Sequence, residues 1–225
     1  MPPHITSGSL PDPYEVARIA LVDSFTGEQG SYVSDLRVIE AMKKTPRHLF
    51  VPGDERDEAY ADHPLPIGFG QTISQPSLVA FMTEQLRPEP GDRVLEVGTG
   101  SGYQAAILSP LVAEVYSIEI VEPLAARAKE TLASQGYDNV HTRSGNGYLG
   151  WPEAAPFDAI IVTCAPDEIP PALVEQLREG GRMIIPVGPQ TAPQELYLLE
   201  KREGRIEKRA ILPVRFVPMT GSDKK

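Results

Sequence analysis

The sequence is poor in cysteine, in basic residues and in long apolar segments. Cys164 is the one cysteine among 225 residues, which excludes an intrachain disulfide and fits a reducing compartment. Acidic residues outnumber basic ones by 31 to 21, so the net charge is −10, and no basic patch typical of a nucleic-acid surface is concentrated anywhere. No apolar run approaches the roughly 18 residues of a membrane span, and the N-terminus has no signal-peptide pattern. We expect a cytoplasmic protein that binds neither nucleic acid nor membrane.

The rest of the composition is that of a folded globular chain. Hydrophobic residues make up 41% and charged residues 23%, and 225 residues are enough to bury one sizeable core. We expect one compact unit in two parts. Residues 1–90 form N-terminal helices and a substrate or active-site loop, and residues 91–225 form an α/β domain with a C-terminal hairpin.

Apolar segments alternate with helical patterns after residue 91. Strands are predicted at 93–97, 114–119, 140–144, 157–163 and 182–187, with intervening helices that include 123–135 and 170–178. The alternation predicts an α/β fold with a doubly wound, mostly parallel sheet. Two further strands, at 195–199 and 210–217, are joined through 203–205 and predict an antiparallel C-terminal hairpin.

The first part of the chain is less regular. Residues 1–13 read as a loose leader, residues 14–25 as a helix, and Ser34 as the N-cap of a second helix. A loop-rich stretch follows over 45–75, and such long stretches are often functional. A further helix starts at Pro76.

A glycine-rich turn joins the first predicted strand to the next helix. Gly98, Gly100 and Gly102 allow a tight turn and close approach of a ligand, although a plain strand–helix turn would look the same, and the segment also satisfies a loose dinucleotide pattern. Glu119 follows at the end of the second strand, where a carboxylate can accept both hydroxyls of a ribose. Glu96 is awkward beside a pyrophosphate but suits a cationic ligand such as S-adenosylmethionine.

Several segments resemble one known family. Residues 70–76 (GQTISQP) and 94–106 (VLEVGTGSGYQAA) carry the resemblance, together with 45–52, 180–188 and 216–220. They are similar to protein-L-isoaspartate (D-aspartate) O-methyltransferases over about residues 38–220. The resemblance implies a Rossmann-like class I methyltransferase fold with a seven-stranded sheet, an N-terminal helical and loop extension, and a monomer.

The resemblance also implies the reaction. The family transfers a methyl group from S-adenosyl-L-methionine to the α-carboxylate of L-isoaspartyl and D-aspartyl residues in damaged proteins, leaving S-adenosyl-L-homocysteine. The ester then loses methanol to a succinimide, and hydrolysis of the succinimide partly restores aspartate.

Site residues follow from the same resemblance, position by position. Ser74 matches the active-site residue, with Thr72 beside it. The expected cofactor-binding residues are Gln71, Ile73, Glu96, Gly98, Thr99, Gly100, Ser101, Gly102, Glu119, Asn146, Gly147 and Thr220, and no metal is expected. Asn146 departs from the family pattern, which has Gly-Asp-Gly where this chain has Gly-Asn-Gly. Its amide oxygen can still accept a hydrogen bond from the adenine amino group, but without the assistance of a charge.

The chemistry needs no general base, because a carboxyl group with a pKa near 4 is already ionised at pH 7. Ser74 is expected to orient that carboxylate, although it is also placed to cap the helix that starts at Pro76. Cys164 is expected to be a small packed residue, while Tyr148 and Trp151 either cover the adenine ring or simply pack. Three alternatives stay open: a methyltransferase that modifies aspartate in a biosynthetic peptide, an NAD-dependent oxidoreductase, and a non-catalytic binding module.

Overall fold

The computed structural model describes residues 12–26 and 33–221. Its strands are β1 (Leu65–Gly68), β2 (Gln71–Ile73), β3 (Arg93–Val97), β4 (Glu114–Glu119), β5 (Val140–Ser144), β6 (Phe157–Val162), β7 (Leu177–Val187), β8 (Gln194–Arg202) and β9 (Arg205–Val214). Its α-helices are α1 (Pro13–Thr26), α2 (Leu36–Lys44), α3 (Pro76–Leu86), α4 (Tyr103–Leu108), α5 (Glu122–Ser134) and α6 (Pro171–Gln176). Short 3-10 helices lie at Arg47–Leu49, Gly53–Glu58, Ser109–Leu111 and Gly147–Leu149.

The central sheet has seven strands in the order β5-β4-β3-β6-β7-β8-β9. Neighbouring strands pair in parallel from β5 through β4, β3 and β6 to β7. Strands β8 and β9 are antiparallel additions at one edge. Strand β3 lies where the strand order reverses, because β4 pairs on one side of it and β6 on the other. The predicted fold class is confirmed.

The inner strands are apolar because both of their faces are covered. In β6, Ile161 belongs to the hydrophobic cluster on one face and Ile160 to the cluster on the other. This burial on both faces explains why β6 reads as one continuous apolar run rather than as an alternating pattern.

The N-terminal helices pack on one face of this sheet. Phe25 of α1, Val38 of α2 and Leu86 of α3 share a single hydrophobic cluster with Val94 and Ile161 of the sheet. The shared cluster joins the N-terminal helices to the sheet, and the organisation of the chain as one unit divided at residue 90 stays a prediction. No helix within 12–26 and 33–221 has the length and apolar character that crossing a lipid bilayer requires.

Several local predictions need correction. The first helix is confirmed as α1, but residues 1–11 of the predicted leader lie outside the described residues. Asp35, not Ser34, caps α2 by accepting a hydrogen bond from the Arg37 backbone N–H. Ser34 instead donates from its backbone N–H and hydroxyl to the Glu84 carboxylate. The predicted loop over 45–75 contains two 3-10 helices and the β1–β2 hairpin.

The segment before β7 also differs from prediction. The last helix ends at Gln176, and the two glycines expected to terminate it lie inside β7. Gly180 has a φ of +74°, and a Cβ on Gly181 would lie 2.8 Å from the Leu177 side chain. The glycines therefore permit an irregular strand start, where the pairing with β6 shifts register. Strands β8 and β9 are displaced from their predicted bounds, and Glu203 and Gly204 form their two-residue turn with φ values of +51° and +72°.

Candidate active site

A cavity of about 840 Å³ opens at the carboxyl ends of β3, β4 and β6. Ligands of doubly wound sheets bind at this kind of position, outside the strand ends where the strand order reverses. All but two of the predicted site residues line this cavity, namely Gln71, Thr72, Ile73, Ser74, Glu96, Gly98, Thr99, Gly100, Ser101, Glu119, Gly147 and Thr220. The two that do not line it are Gly102 and Asn146.

The glycine turn after β3 forms the floor of the cavity. Gly98 has a φ of +101°, and a Cβ there would lie 2.5 Å from the Thr163 hydroxyl. Gly100 has a φ of +54° and faces Ile67 of β1. Gly102 has a different task, because a Cβ at this residue would lie 3.2 Å from Leu132 of α5. Gly102 thus allows α4 and α5 to pack closely, while the first two glycines shape the cavity.

Glu119 ends β4 with its carboxylate held by the backbone. Its Oε2 accepts a hydrogen bond from the Gly100 N–H at 2.7 Å, and its Oε1 accepts one from the Val121 N–H at 2.9 Å. Each carboxylate oxygen can accept a further bond. Glu119 therefore lies buried at the wall of the cavity, fixed in orientation, with remaining acceptor capacity for ligand hydroxyls.

Glu96 lies fully buried on β3 and is incompletely satisfied. Its Oε2 accepts a hydrogen bond from the Ser117 hydroxyl, whereas its Oε1 has no hydrogen-bond partner among the described residues. Burial, with a smaller contribution from the nearby Glu119 charge, raises the pKa of Glu96 to about 8, against the opposing effect of Ser117. Within residues 12–26 and 33–221, no ion pair joins either carboxylate to a basic side chain.

The hairpin of β1 and β2 brings the predicted catalytic residues to the cavity. Arg127 of α5 donates to the Ile67 backbone carbonyl at 2.5 Å and joins the hairpin to α5. Ser74 follows β2 directly and does not cap α3, since Gln75 is the N-cap and makes no side-chain capping bond. The alternative that Ser74 serves as a helix cap is therefore wrong. The Asp62 carboxylate instead accepts the Ser77 backbone N–H at 2.9 Å.

A second cavity, of about 390 Å³, adjoins the first. Four residues line both cavities, namely Thr72, Ser74, Thr163 and Val217. The second cavity is completed by Pro64, Gln75, Leu78, Arg215 and Phe216. The two hydroxyl side chains of the 71–74 segment thus stand at the junction of the two cavities.

The loop after β5 places its two predicted residues differently. Gly147 lines the cavity, and a Cβ there would lie 2.4 Å from Val97. Asn146 caps the following 3-10 helix, where its Oδ1 accepts the Tyr148 N–H at 3.0 Å. Neither of the two neighbouring aromatic residues lines the cavity. Trp151 packs edge-on against Tyr116 at 5.3 Å, so the packing alternative describes it.

Some residues that line the cavity were not predicted as site residues from the sequence. Thr163 follows β6, and its hydroxyl donates to the Gly98 carbonyl at 2.7 Å. Val217 reaches the site because its carbonyl accepts the Ala165 N–H at 2.8 Å. The position of Thr163 at a parallel strand end is a signal that sequence reasoning had at hand. Val217 lies in the 216–220 segment that carries part of the resemblance, but only Thr220 of that segment was predicted as a site residue.

Cys164 lines the cavity but has the character of a packed thiol. Burial, reinforced by the Glu119 and Glu96 charges, raises the pKa of Cys164 to about 12, so the reactive thiolate is not formed near neutral pH. In the described part of the chain, no group of three or more His, Cys, Asp or Glu side chains is arranged to hold a metal ion.

Fold and site together define a class of protein. A doubly wound sheet, a glycine turn after the central strand and two carboxylates at neighbouring strand ends define a Rossmann-like, class I S-adenosylmethionine-dependent methyltransferase. The sequence model of the family described as "Protein-L-isoaspartate(D-aspartate) O-methyltransferase (PCMT)" matches residues 20–224. The chain belongs to this family, which confirms the resemblance.

Relatives and solved structures agree. The chain is 56% identical over 209 residues to "Protein-L-isoaspartate O-methyltransferase" of Opitutus terrae, covering 92% of this chain and 90% of that protein. It is 56% identical over 203 residues to "Protein-L-isoaspartate O-methyltransferase 2" of a Polaromonas species, covering 90% and 96%. A solved protein-L-isoaspartate O-methyltransferase superposes with a TM-score of 0.82 at 31% identity, covering 92% of this chain and 66% of that one.

A second solved structure carries a ligand. It is a putative protein-L-isoaspartate O-methyltransferase from Plasmodium falciparum in complex with S-adenosyl-L-homocysteine, with a TM-score of 0.80 at 27% identity and coverage of 90% and 98%. Methyl transfer from S-adenosylmethionine, as expected from the sequence, is confirmed as the activity of this chain's family.

Proposed function

We propose that this chain methylates the α-carboxylate of L-isoaspartyl and D-aspartyl residues in damaged proteins, with Ser74 and Thr72 as the residues that hold the carboxylate. The observation that carries the assignment is that both hydroxyl side chains line the two adjoining cavities. One cavity suits the methyl donor and the other suits the peptide, so a carboxylate held between them faces the methyl group.

The donor set of the first cavity fits S-adenosylmethionine. Glu96 and Glu119 place two carboxylates there, and Glu96 keeps a buried oxygen without a partner. Such a site attracts a ligand with an ammonium and a sulfonium and repels a pyrophosphate, which argues against the NAD-dependent alternative. We assign the ammonium to Glu96 and the ribose hydroxyls to Glu119.

The remaining cofactor contacts are proposed from the same lining. The backbone and small side chains of the glycine turn and of the hairpin would contact the cofactor, as would Gly147 and Thr220 at the adenine side. Asn146 is proposed on that side too, because it directly precedes Gly147 in the loop after β5. Gly102 contributes by helix packing.

When bound, the cofactor supplies a methyl group on a positively charged sulfur, open to displacement at carbon. The Ser74 and Thr72 hydroxyls donate hydrogen bonds to the substrate carboxylate and keep one of its oxygens in line with that methyl group. Holding reactants in line can contribute roughly 7–11 kcal/mol to catalysis. No proton has to be removed, because the carboxylate is already ionised at neutral pH.

An assay with paired peptides tests the function. An isoaspartyl peptide and its normal aspartyl twin are incubated with S-adenosylmethionine, and methanol released from the ester is measured. We expect release from the isoaspartyl peptide alone. Methylation of the aspartyl twin at a similar rate would indicate the peptide-tailoring alternative, and no methylation of either would indicate a binding module.

The proposal also includes the cellular location and the oligomeric state of the protein. We assign the chain to the cytoplasm, which its single cysteine suits, as a monomer that meets isoaspartyl proteins one at a time without nucleic acid or membrane. Light scattering of the purified protein tests the monomer.

A further inference from the structure

The second cavity contains one charged side chain, that of Arg215. Arg215 lies between Val214 and Phe216, which are both buried, and the Phe216 N–H is fixed by Gln194 Oε1 at 2.9 Å. The arginine itself is exposed. Among residues 12–26 and 33–221 it has no hydrogen-bond or ion-pair partner. A cation is therefore held at the cavity by a rigid backbone, with its guanidinium free to bind an anion.

The reacting carboxylate is not the anion that this arginine faces. Thr72 and Ser74 line both cavities, so the carboxylate that meets the methyl group belongs at their junction. Arg215 lines the second cavity only. A guanidinium that gripped the nucleophile would also withdraw negative charge from it, whereas neutral hydroxyls orient it at less cost.

The rest of the substrate peptide passes through the second cavity, if the proposed function holds. We propose that Arg215 forms a subsite for an acidic side chain next to the isoaspartyl residue, and that the enzyme thereby prefers acidic over neutral or basic flanking residues. An aspartate or glutamate side chain matches the guanidinium with two parallel hydrogen bonds.

The charges around Arg215 explain why this arginine matters for substrate preference. The chain carries a net charge of −10, so the protein as a whole repels an acidic peptide. Asp62 also lies near this cavity, where its carboxylate accepts from Gln75 Nε2 at 3.0 Å and from the Ser77 N–H. Both donors are neutral and leave the aspartate charge in place. Arg215 is thus the group in the cavity lining that can favour an acidic neighbour.

Six isoaspartyl peptides test the proposal. They carry Glu, Gln or Lys on the N-terminal or the C-terminal side of the isoaspartyl residue, and kcat/KM is measured for each with S-adenosylmethionine. For the native enzyme we expect Glu to exceed Gln by about fivefold on one of the two sides, equivalent to about 1 kcal/mol for an exposed charge pair. Lys is expected below Gln, and high salt is expected to reduce the difference.

Variants connect the preference to the arginine. Arg215→Met is expected to abolish the difference between Glu and Gln, and Arg215→Glu to reverse the order of Glu and Lys. Arg209→Met is the matched control, because it removes the same charge from an exposed residue of β9 that lines neither cavity. We expect this control to keep the native preference.

The outcomes distinguish a failure of the proposed function from a failure of the Arg215 subsite. No methylation of any peptide by the native enzyme would overturn the proposed function and the subsite with it. Methylation without a preference for Glu on either side, or a preference that survives Arg215→Met, would overturn the subsite alone. A loss of kcat by the same factor on all six peptides in Arg215→Met would also overturn it, because that result would place the arginine on the reacting carboxylate.

Discussion

Two glutamates at neighbouring strand ends differ in what holds them. Glu119 accepts two backbone N–H groups, so its carboxylate is fixed in orientation before any ligand binds. Glu96 has one hydroxyl partner and a bare oxygen in a fully buried place. Glu119 is therefore a rigid acceptor for neutral ligand hydroxyls. Glu96 is a buried carboxyl group with an oxygen that a cation can bind.

The Glu119 assignment leads to a binding prediction. Glu119→Ala should weaken S-adenosylmethionine binding by about 1.5–3 kcal/mol, the usual size for hydrogen bonds to a charged group. Calorimetry measures the change, with Glu122→Ala as the control, because Glu122 is exposed at the start of α5 and lines neither cavity. Unchanged affinity in a folded Glu119→Ala protein would remove this residue from the site.

The Glu96 assignment leads to a pH dependence. Because its pKa is about 8 without cofactor, a cationic ligand that binds the carboxylate must displace a proton at neutral pH. Affinity for S-adenosylmethionine should therefore rise between pH 6 and 7.5, below the range in which an α-amino group itself titrates. Calorimetry in two buffers of different ionisation enthalpy should detect proton release, and Glu96→Gln should eliminate this release. Pairs of enthalpies that agree for the native protein would contradict the assignment.

At Asn146 the resemblance described above indicates a departure from the family's Gly-Asp-Gly pattern. Asn146→Asp keeps an acceptor for the Tyr148 N–H and adds a charge, so we expect cofactor binding to tighten several-fold. Titration with S-adenosyl-L-homocysteine measures the effect. Equal or weaker binding would mean that the Asn146 side chain does not contact the cofactor.

At the scale of elements, the β1–β2 hairpin positions the residues that we propose hold the substrate carboxylate. Ser74→Ala should leave cofactor affinity nearly intact and reduce turnover of an isoaspartyl peptide by about 10- to 1000-fold, since a small misplacement of a reactant costs around a hundredfold. Because Ser74 makes no cap for α3, the melting temperature should stay that of the native protein. Native turnover at saturating substrate in Ser74→Ala would contradict the assignment of Ser74. Thr72 and the loop backbone would then be the groups that hold the carboxylate.

This hairpin also marks the limit of what local sequence predicts. Strands such as β6 were predictable because a run of apolar residues buried on both faces has few other structures open to it. Strand β1 contains Pro66 and Gly68, and β1 and β2 have only a few residues each, so no period is long enough to detect. The 180–181 glycines pointed to a helix end but serve an irregular strand, a choice that depends on pairing with β6.

Within the site, too, some residues could be predicted from local sequence and others could not. Gly98, Gly100 and Glu119 were predictable because the turn and the strand end that follows it lie close together in sequence. Arg215 reaches the second cavity from the segment after β9, and its position follows only from the strand order of the whole sheet. The role of Gly102 in packing α5 depends equally on a tertiary contact.

At the scale of the whole molecule, cofactor binding is coupled to folding, because the cofactor cavity combines segments from different parts of the chain. The cavity is built from the glycine turn, the hairpin and the segment after β9 together, so the bound state requires all of them to be folded. S-adenosyl-L-homocysteine at one hundred times its dissociation constant should stabilise the protein by about 2.7 kcal/mol. Thermal unfolding with and without this ligand measures the shift, and adenosine alone serves as the weaker-binding control.

The buried Glu96 makes global stability depend on pH in the absence of cofactor. Its pKa is about 8 in the folded protein against 4.5 for the free side chain, so between these values the folded state holds a proton that the unfolded state has lost. Its favourable contribution is complete below pH 4.5 and is lost as pH rises through 8, at up to about 1.4 kcal/mol per pH unit. Glu96→Gln keeps a neutral side chain of the same shape at every pH, so the variant should unfold at higher denaturant concentration than the native protein at pH 8 and nearly alike at pH 5. Urea titrations of both proteins at the two pH values check this. A difference that is the same at pH 5 and pH 8 would show that the carboxyl group of Glu96 does not titrate in this range.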